Sequence, residues 1–310
     1  MATLLLTHPA SRWHITPDGH PEQVARIEAA EAALSAPAFA ALHRAEAPRA
    51  DVAEVLRCHP QAHLDALEAA LPPQGTRPLD ADTHISPRSV EAALHGVGAA
   101  CAAVDAVLSG DVSNAFCAMR PPGHHAEAQR PMGFCLLGNV AIAAKRALDH
   151  HGLDRVAVLD FDVHHGNGTQ ALLWDEPRVR FVSSHQMPLW PGSGGPKERG
   201  AHGQVTNLPL PPGAKGDAFR AAWTPVLADL RRWRPDLVLV SAGFDGHAAD
   251  PLAQLALRVE DFVWITRALC DLAAATCDGR LVSVLEGGYD LDALAACTAA
   301  HVEVLMEAGE

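Results

Sequence analysis

The chain of 310 residues has no Cys-x-x-Cys pair, no repeat of fixed period, no low-complexity tail and one tyrosine. Its seven cysteines are odd in number and scattered, so they read as reduced thiols of a cytoplasmic protein rather than a disulfide framework. No window of 18 or more apolar residues is present, and no membrane span is expected. The short run Leu4-Leu5-Leu6 has no basic residues before it; it is too short for a signal peptide and reads as a first strand. There is no His-Glu-x-x-His helix of the protease zinc type. Positive charge is also scarce: the net charge is −13 and no basic stripe is visible, which argues against a nucleic-acid partner. An acidic surface suits cationic substrates, and it also serves solubility.

Apolar residues make up 48% of the chain, enough for one large α/β domain or two small ones. Strand-like runs alternate with alanine-rich helical stretches. Strands are predicted at 2–7, 114–119, 155–161, 179–183, 236–240 and 280–285. Helices are predicted at 21–35 with Pro21 at the start, 87–108 ending at Gly110, 139–151, 217–233, 259–276 and 291–307. This alternation predicts a parallel sheet covered by helices on both faces. Pro/Gly clusters at 72–78, 191–203 and 209–216 read as loops within that rhythm.

Five predicted strands each run into polar, chemically capable residues. They are Arg120-Pro-Pro-Gly-His124-His125, Asp160-Phe-Asp162-Val-His164-His165-Gly-Asn167-Gly, Ser183-Ser184-His185, Ser241-Ala-Gly-Phe-Asp245 and Glu286-Gly287-Gly288-Tyr289. Ligands of parallel α/β sheets lie outside the carboxyl ends of the strands, so these runs are expected to converge there.

In an extended chain Asp160, Asp162 and His164 face one side. A carboxylate and an imidazole side by side make half of a zinc site. Asp245, after a buried strand, is the natural third ligand, with a helix or turn cap as the alternative. Two Asp and one His leave a position open for water or substrate. Adjacent His124 and His125 supply acid–base capacity. Asp160 and Asn167 are the candidate acceptors that orient them, and a charged against a neutral acceptor would split their pKa values. The His paired with Asp160 would stay cationic longer, and the other could act as the neutral base. Tyr289 follows two glycines that permit close backbone approach; its phenol could meet a developing oxyanion or simply pack over a loop.

These runs, with Gly133-Phe134-Cys135, His-Gly-Asn-Gly-Thr-Gln170 and Asp250-Pro251-Leu252, resemble the zinc-dependent histone deacetylase and acetylpolyamine amidohydrolase superfamily, most closely its class II branch and bacterial relatives. The resemblance covers nearly the whole chain, and implies a single deacetylase domain over 1–310 with the arginase-like three-layer α/β/α fold around a mostly parallel sheet. It implies zinc held by Asp162, His164 and Asp245, with His125 as general base and acid, His124 as its electrostatic partner and Tyr289 polarising the acetyl carbonyl. The implied reaction hydrolyses an N-acetyl amide to acetate and a free amine. It further implies an inner potassium site formed by Asp160, Ser183 and the carbonyls of Asp162, His164 and Ser184. Gly133 and Phe134 would line an acyl tunnel, with Gly287 and Gly288 also near substrate. Asp82 would grip the substrate backbone at the rim, with Asp80 as rival. Arg26 matches an arginine near the family's internal acetate channel.

The chain departs from the family pattern in places. Trp190 stands where the opposite tunnel wall is commonly Phe or Tyr. Ala253-Gln254 replace a Gly-Gly, and Leu252 replaces the gatekeeping acid of polyamine-specific relatives. The leading expectation is a deacetylase acting on acetyl-lysine in peptides or proteins. The alternatives are an amidohydrolase of acetylpolyamines or other acylated amines, and a non-catalytic acyl- or metal-binding module. A ureohydrolase would need an Asp-x-Asp at Asp245, where the chain has Asp245-Gly246-His247. The 191–203 loop is expected to shape specificity or subunit contacts, with a homo-oligomer left open.

Overall fold

The computed structural model describes residues 2–309. Its strands are β1 (Thr3–Thr7), β2 (His43–Glu46), β3 (Arg77–Pro78), β4 (His84–Ile85), β5 (Asn114–Cys117), β6 (Val156–Asp160), β7 (Val179–Gln186), β8 (Val205–Leu210), β9 (Leu237–Ala242) and β10 (Leu281–Leu285). Its α-helices are α1 (Val24–Leu34), α2 (Val52–Val55), α3 (Gln61–Ala70), α4 (Ser89–Ser109), α5 (Asn139–Asp149), α6 (Asn167–Leu172), α7 (Gly216–Trp233), α8 (Val259–Thr276) and α9 (Leu291–Gly309). Eight strands form one sheet in the order β2-β1-β5-β10-β9-β6-β7-β8, every pair parallel. β3 and β4 form a separate antiparallel ribbon.

The central strands are buried on both faces, so they carry continuous Val/Leu runs rather than alternation with polar residues. Successive side chains enter opposite cores. Ala157, Leu159, Val238 and Val240 pack with Ile27, Phe219, Trp223, Phe262 and Leu294 from α1, α7, α8 and α9. Val156, Val158, Leu237 and Leu239 pack with alanines and valines of α4 and α5. Each fully buried Val or Leu contributes about 1.5–3 kcal/mol. This is the three-layer α/β/α arrangement. By length and composition α4 could cross a membrane, but most of it is buried inside the protein. That qualifies the expectation drawn from uninterrupted apolar runs.

The predicted elements recur with shifted ends. The first helix begins at Val24, not Pro21. Glu22 is drawn off the helix into the interior, where its carboxylate binds Arg26 and Arg120. β2 escaped notice because His43–Glu46 is an exposed edge strand without apolar alternation. β8 lies between two Pro/Gly clusters that obscured it.

Candidate active site

The five strands whose ends carry the polar runs are contiguous in the sheet, as β5-β10-β9-β6-β7. Register aligns their ends: Asp160 pairs with Ser183 on one side and Ser241 on the other. β6 ends at Asp160, yet the alternation carries on. Phe161 and Val163 enter the core. Asp162 and His164 are turned together by Asx-type bonds: the Asp162 N–H donates to Asp160 Oδ1 (3.1 Å) and the His164 N–H to Asp162 Oδ1 (2.9 Å).

Asp162, His164 and Asp245 meet with ligand atoms within 4.8 Å of one another, all three buried. His164 Nδ1 lies 3.2 Å from Asp162 Oδ1 and 3.1 Å from Asp245 Oδ2. Burial works to lower the His164 pKa, but hydrogen bonds to Asp162 and Asp245 raise it to about 10. Burial and the Asp162 charge push Asp245 up to about 7. Two buried carboxylates this close repel unless a cation joins them. A two-carboxylate, one-imidazole set fits zinc and leaves a coordination position open. Behind the cluster, the Gly287 N–H donates to Asp162 Oδ2 (2.8 Å), and a Cβ at Gly287 would collide with the Asp162 and Asp245 carboxylates. Only glycine fits there.

The two histidines diverge as their acceptors predict. His124 Nδ1 is 3.0 Å from Asp160 Oδ2. Burial opposes its charge, but Asp162 and Asp160 raise its pKa well above the usual imidazole range. His125 Nδ1 is 2.8 Å from Asn167 Oδ1. Burial, then the charges of His124 and His164, push it well below that range. The Asn167 amide nitrogen donates to Glu127 Oε1 (2.9 Å). That orients Oδ1 as acceptor, places the His125 proton on Nδ1 and leaves Nε2 unprotonated.

A cavity of about 210 Å³ opens above, lined by Asp82, His125, Gly133, Phe134, His164, Leu189, Trp190, Leu252 and Tyr289. Gly133 and Phe134 both hold positive φ, 57° and 68°. For Phe134 this costs energy, offset in part by its N–H bond to Thr83 Oγ1 (3.1 Å). A Cβ on Gly133 would run into His125 and Trp190. Trp190 stands edge-on to His125, centroids 4.7 Å apart, and is 39% exposed at the mouth. Tyr289 lines the same cavity, edge-on to Phe134, with the Arg26 guanidinium 4.8 Å from its ring centroid. Burial first raises the Tyr289 pKa well above the phenol range, so it is a proton donor.

Asp82 faces the cavity, whereas Asp80 caps the turn below it by accepting the N–H of Asp82 (3.1 Å) and Thr83 (2.7 Å). Neither caps a helix. Gly287 and Gly288 are buried and are not among the residues that line this cavity; they form the turn that leads into Tyr289. Ser183 Oγ bonds His185 Nδ1 (3.0 Å), and Ser184 Oγ is buried without a partner. The 191–203 loop closes on itself where Glu198 accepts the N–H of Gly194 (3.0 Å) and Gly195 (2.8 Å), and it is tied inward where Ser193 Oγ meets His165 Nδ1 (2.8 Å) and the Gln170 amide nitrogen donates to Glu198 Oε2 (2.7 Å).

Sequence reasoning passed over Leu189 and gave no role to Glu286 or Asp250, although both stand in runs it singled out. Glu286 Oε2 accepts the N–H of Gly123 (2.7 Å) and His124 (3.2 Å), anchoring the histidine loop to β10. A glutamate directly after a buried strand was the available signal.

Residues 20–305 match the histone deacetylase domain family. A histone deacetylase-like amidohydrolase of Pseudomonas aeruginosa is 40% identical over 308 residues, covering 97% of this chain and 81% of that protein. A probable deacetylase of Archaeoglobus fulgidus is 39% identical over 248 residues, covering 79% and 68%. The crystal structure of the HDA15 HD domain superposes with a TM-score of 0.93 at 30% identity, covering 99% of this chain and 88% of that one. With the site at the strand ends, the fold and the matched span in agreement, the chain belongs to the histone deacetylase family.

Proposed function

We propose that this chain is a zinc-dependent deacetylase that hydrolyses the side-chain amide of N-acetyl-lysine in peptides or proteins, releasing acetate and a free amine. The observation that carries the reading is the buried Asp162–His164–Asp245 cluster beside two histidines of opposite protonation. Zinc bound there supplies Lewis acidity to a carbonyl and lowers the pKa of water. His125 Nε2 is the atom free to take a proton from attacking water and return it to the departing amine. His124, kept cationic by Asp160 and Asp162, holds the His125 pKa down. The Tyr289 hydroxyl donates to the carbonyl oxygen as negative charge develops there. Phe134 and Trp190 flank the aliphatic stem, Leu252 borders the mouth and Asp82 accepts a substrate N–H at the rim.

Potassium held by Asp160, Ser183 and the carbonyls of Asp162, His164 and Ser184 is part of the same reading, since hard cations take oxygen ligands. We read residues 1–310 as one deacetylase domain working in the reducing cytoplasm, which its free cysteines fit. Hydrolysis of acetylated small amines is the second reading, favoured by the narrow cavity where Trp190 packs on Gly133.

The test is kcat/KM of the zinc-loaded protein on an acetyl-lysine peptide and on N-acetylputrescine. Preference for the peptide supports the lysine deacetylase. Preference for the polyamine moves the assignment to small amines, and turnover of neither revives the binding module.

A further inference from the structure

The turn carrying Tyr289 is tied down from several directions. The Gly287 N–H is bound by Asp162, and Arg26 donates to the carbonyls of Gly288 (2.6 Å) and Glu286 (2.5 Å). None of these bonds reaches the backbone of Tyr289 itself. Asp250 does. Its Oδ2 accepts the Tyr289 N–H at 2.7 Å, across 39 positions of sequence. Its Oδ1 accepts the Leu252 N–H at 3.0 Å.

Asp250 is 7% exposed, and burial raises its pKa. A carboxylate in that setting is costly unless its oxygens are satisfied. Here both oxygens are spent on backbone N–H groups of cavity-lining residues. The Asp250 N–H in turn donates to the His247 carbonyl at 2.9 Å, which fixes it to the segment following Asp245. One residue therefore joins the metal-side loop, through its backbone, to the rim and the phenol-bearing turn, through its carboxylate.

We propose that Asp250 is a positioning residue that sets the Tyr289 phenol against the reacting carbonyl and couples its placement to Leu252 at the rim. The proposal rests on the proposed role of Tyr289. The Tyr289 hydroxyl stands at the far end of a rigid ring carried by its Cα, so a backbone shift on release of the N–H is passed on to the hydroxyl. Misplacement by about 1 Å costs up to ~100-fold in rate.

The experiment is a double-mutant cycle on the zinc-reconstituted full chain, assayed with an acetyl-lysine peptide. Asp250→Ala is expected to lower kcat roughly 10- to 100-fold, with KM within about threefold and zinc content and Tm retained. In a Tyr289→Phe background the same change is expected to cost less than about threefold, because the phenol it positions is gone. Asp250→Asn, which keeps one acceptor oxygen, is expected to fall between. Equal losses in both backgrounds, or loss of zinc, would overturn the proposal while leaving the role of Tyr289 standing. A Tyr289→Phe enzyme with undiminished kcat would overturn both.

A readout free of turnover is also at hand. Tyr289 is the only tyrosine, so protein labelled at the tyrosine Cζ gives one tyrosine NMR signal. It is expected to shift or broaden in Asp250→Ala and Asp250→Asn; an unchanged signal in both overturns the proposal.

Discussion

Nδ1 of His125 lies 2.8 Å from Oδ1 of Asn167, a neutral acceptor, whereas Nδ1 of His124 and of His164 meet carboxylates. That choice keeps His125 free of an anionic partner. Asn167→Asp would put a negative charge on its Nδ1 side and favour the imidazolium. The neutral base would then exist only at higher pH. The acid limb of the kcat/KM profile is expected to move up by about one unit or more, with little change in zinc content. An unmoved limb would mean that His125 does not set it.

The proposed roles separate by what each substitution removes. His125→Ala and Tyr289→Phe are expected to lower turnover by roughly 100-fold or more while retaining zinc, as losses of a general base and an oxyanion donor do. Asp245→Ala is expected to lose the metal itself. Zinc content measured beside kcat decides the matter: loss of zinc in either of the first two variants contradicts the assignment.

Gly287 offers a test of the metal cluster that deletes no ligand. A Cβ there would strike the Asp162 and Asp245 carboxylates and displace the N–H that orients Asp162. Gly287→Ala is expected to weaken zinc binding about 10- to 100-fold, the range for disturbed supports of metal ligands. Native affinity, read by competition with a chelator, would show that the carboxylates do not hold the ion.

Stability should fall on the acid side through buried neutral histidines away from the cluster. Burial lowers His14 and His59 to about 4 and His301 to about 3. His301 is wedged between Thr266 Oγ1 (2.7 Å) and Ser283 Oγ (2.8 Å). Below about pH 6.5 the unfolded chain binds protons that these folded imidazoles refuse. The stability present above that pH is therefore lost as pH falls toward their folded pKa values, at up to about 1.4 kcal/mol per unit for each. Urea midpoints from about pH 7.5 to about pH 5 are expected to decline, and less steeply in His301→Gln. An identical slope in the variant would show that His301 is protonated in the folded protein.

Much of this was legible in the sequence, for a physical reason. A parallel sheet writes its interior strands as continuous apolar runs, and each functional run directly follows one. Asp162, His164 and Asp245 were found because period-two alternation and burial both act within a few residues. The opposite character of His124 and His125 was likewise readable from one charged and one neutral acceptor, Asp160 and Asn167. The edge strand β2 and the start of α1 were not readable. One has no apolar pattern, and the other is displaced by Glu22 binding two arginines that lie beyond it in the chain.

The tertiary structure alone decided the long-range choices. It brought Asp82 rather than Asp80 to the cavity, left Gly287 and Gly288 out of its lining, and placed Trp190 against Gly133. It also brought Asp250 to Tyr289 and Glu286 to the histidine loop. The last two depend on backbone N–H groups 39 and more than 160 positions away in the chain meeting a carboxylate at the strand ends. Local periodicity decides which side a residue faces, but only the packed sheet decides which N–H or ring stands opposite it.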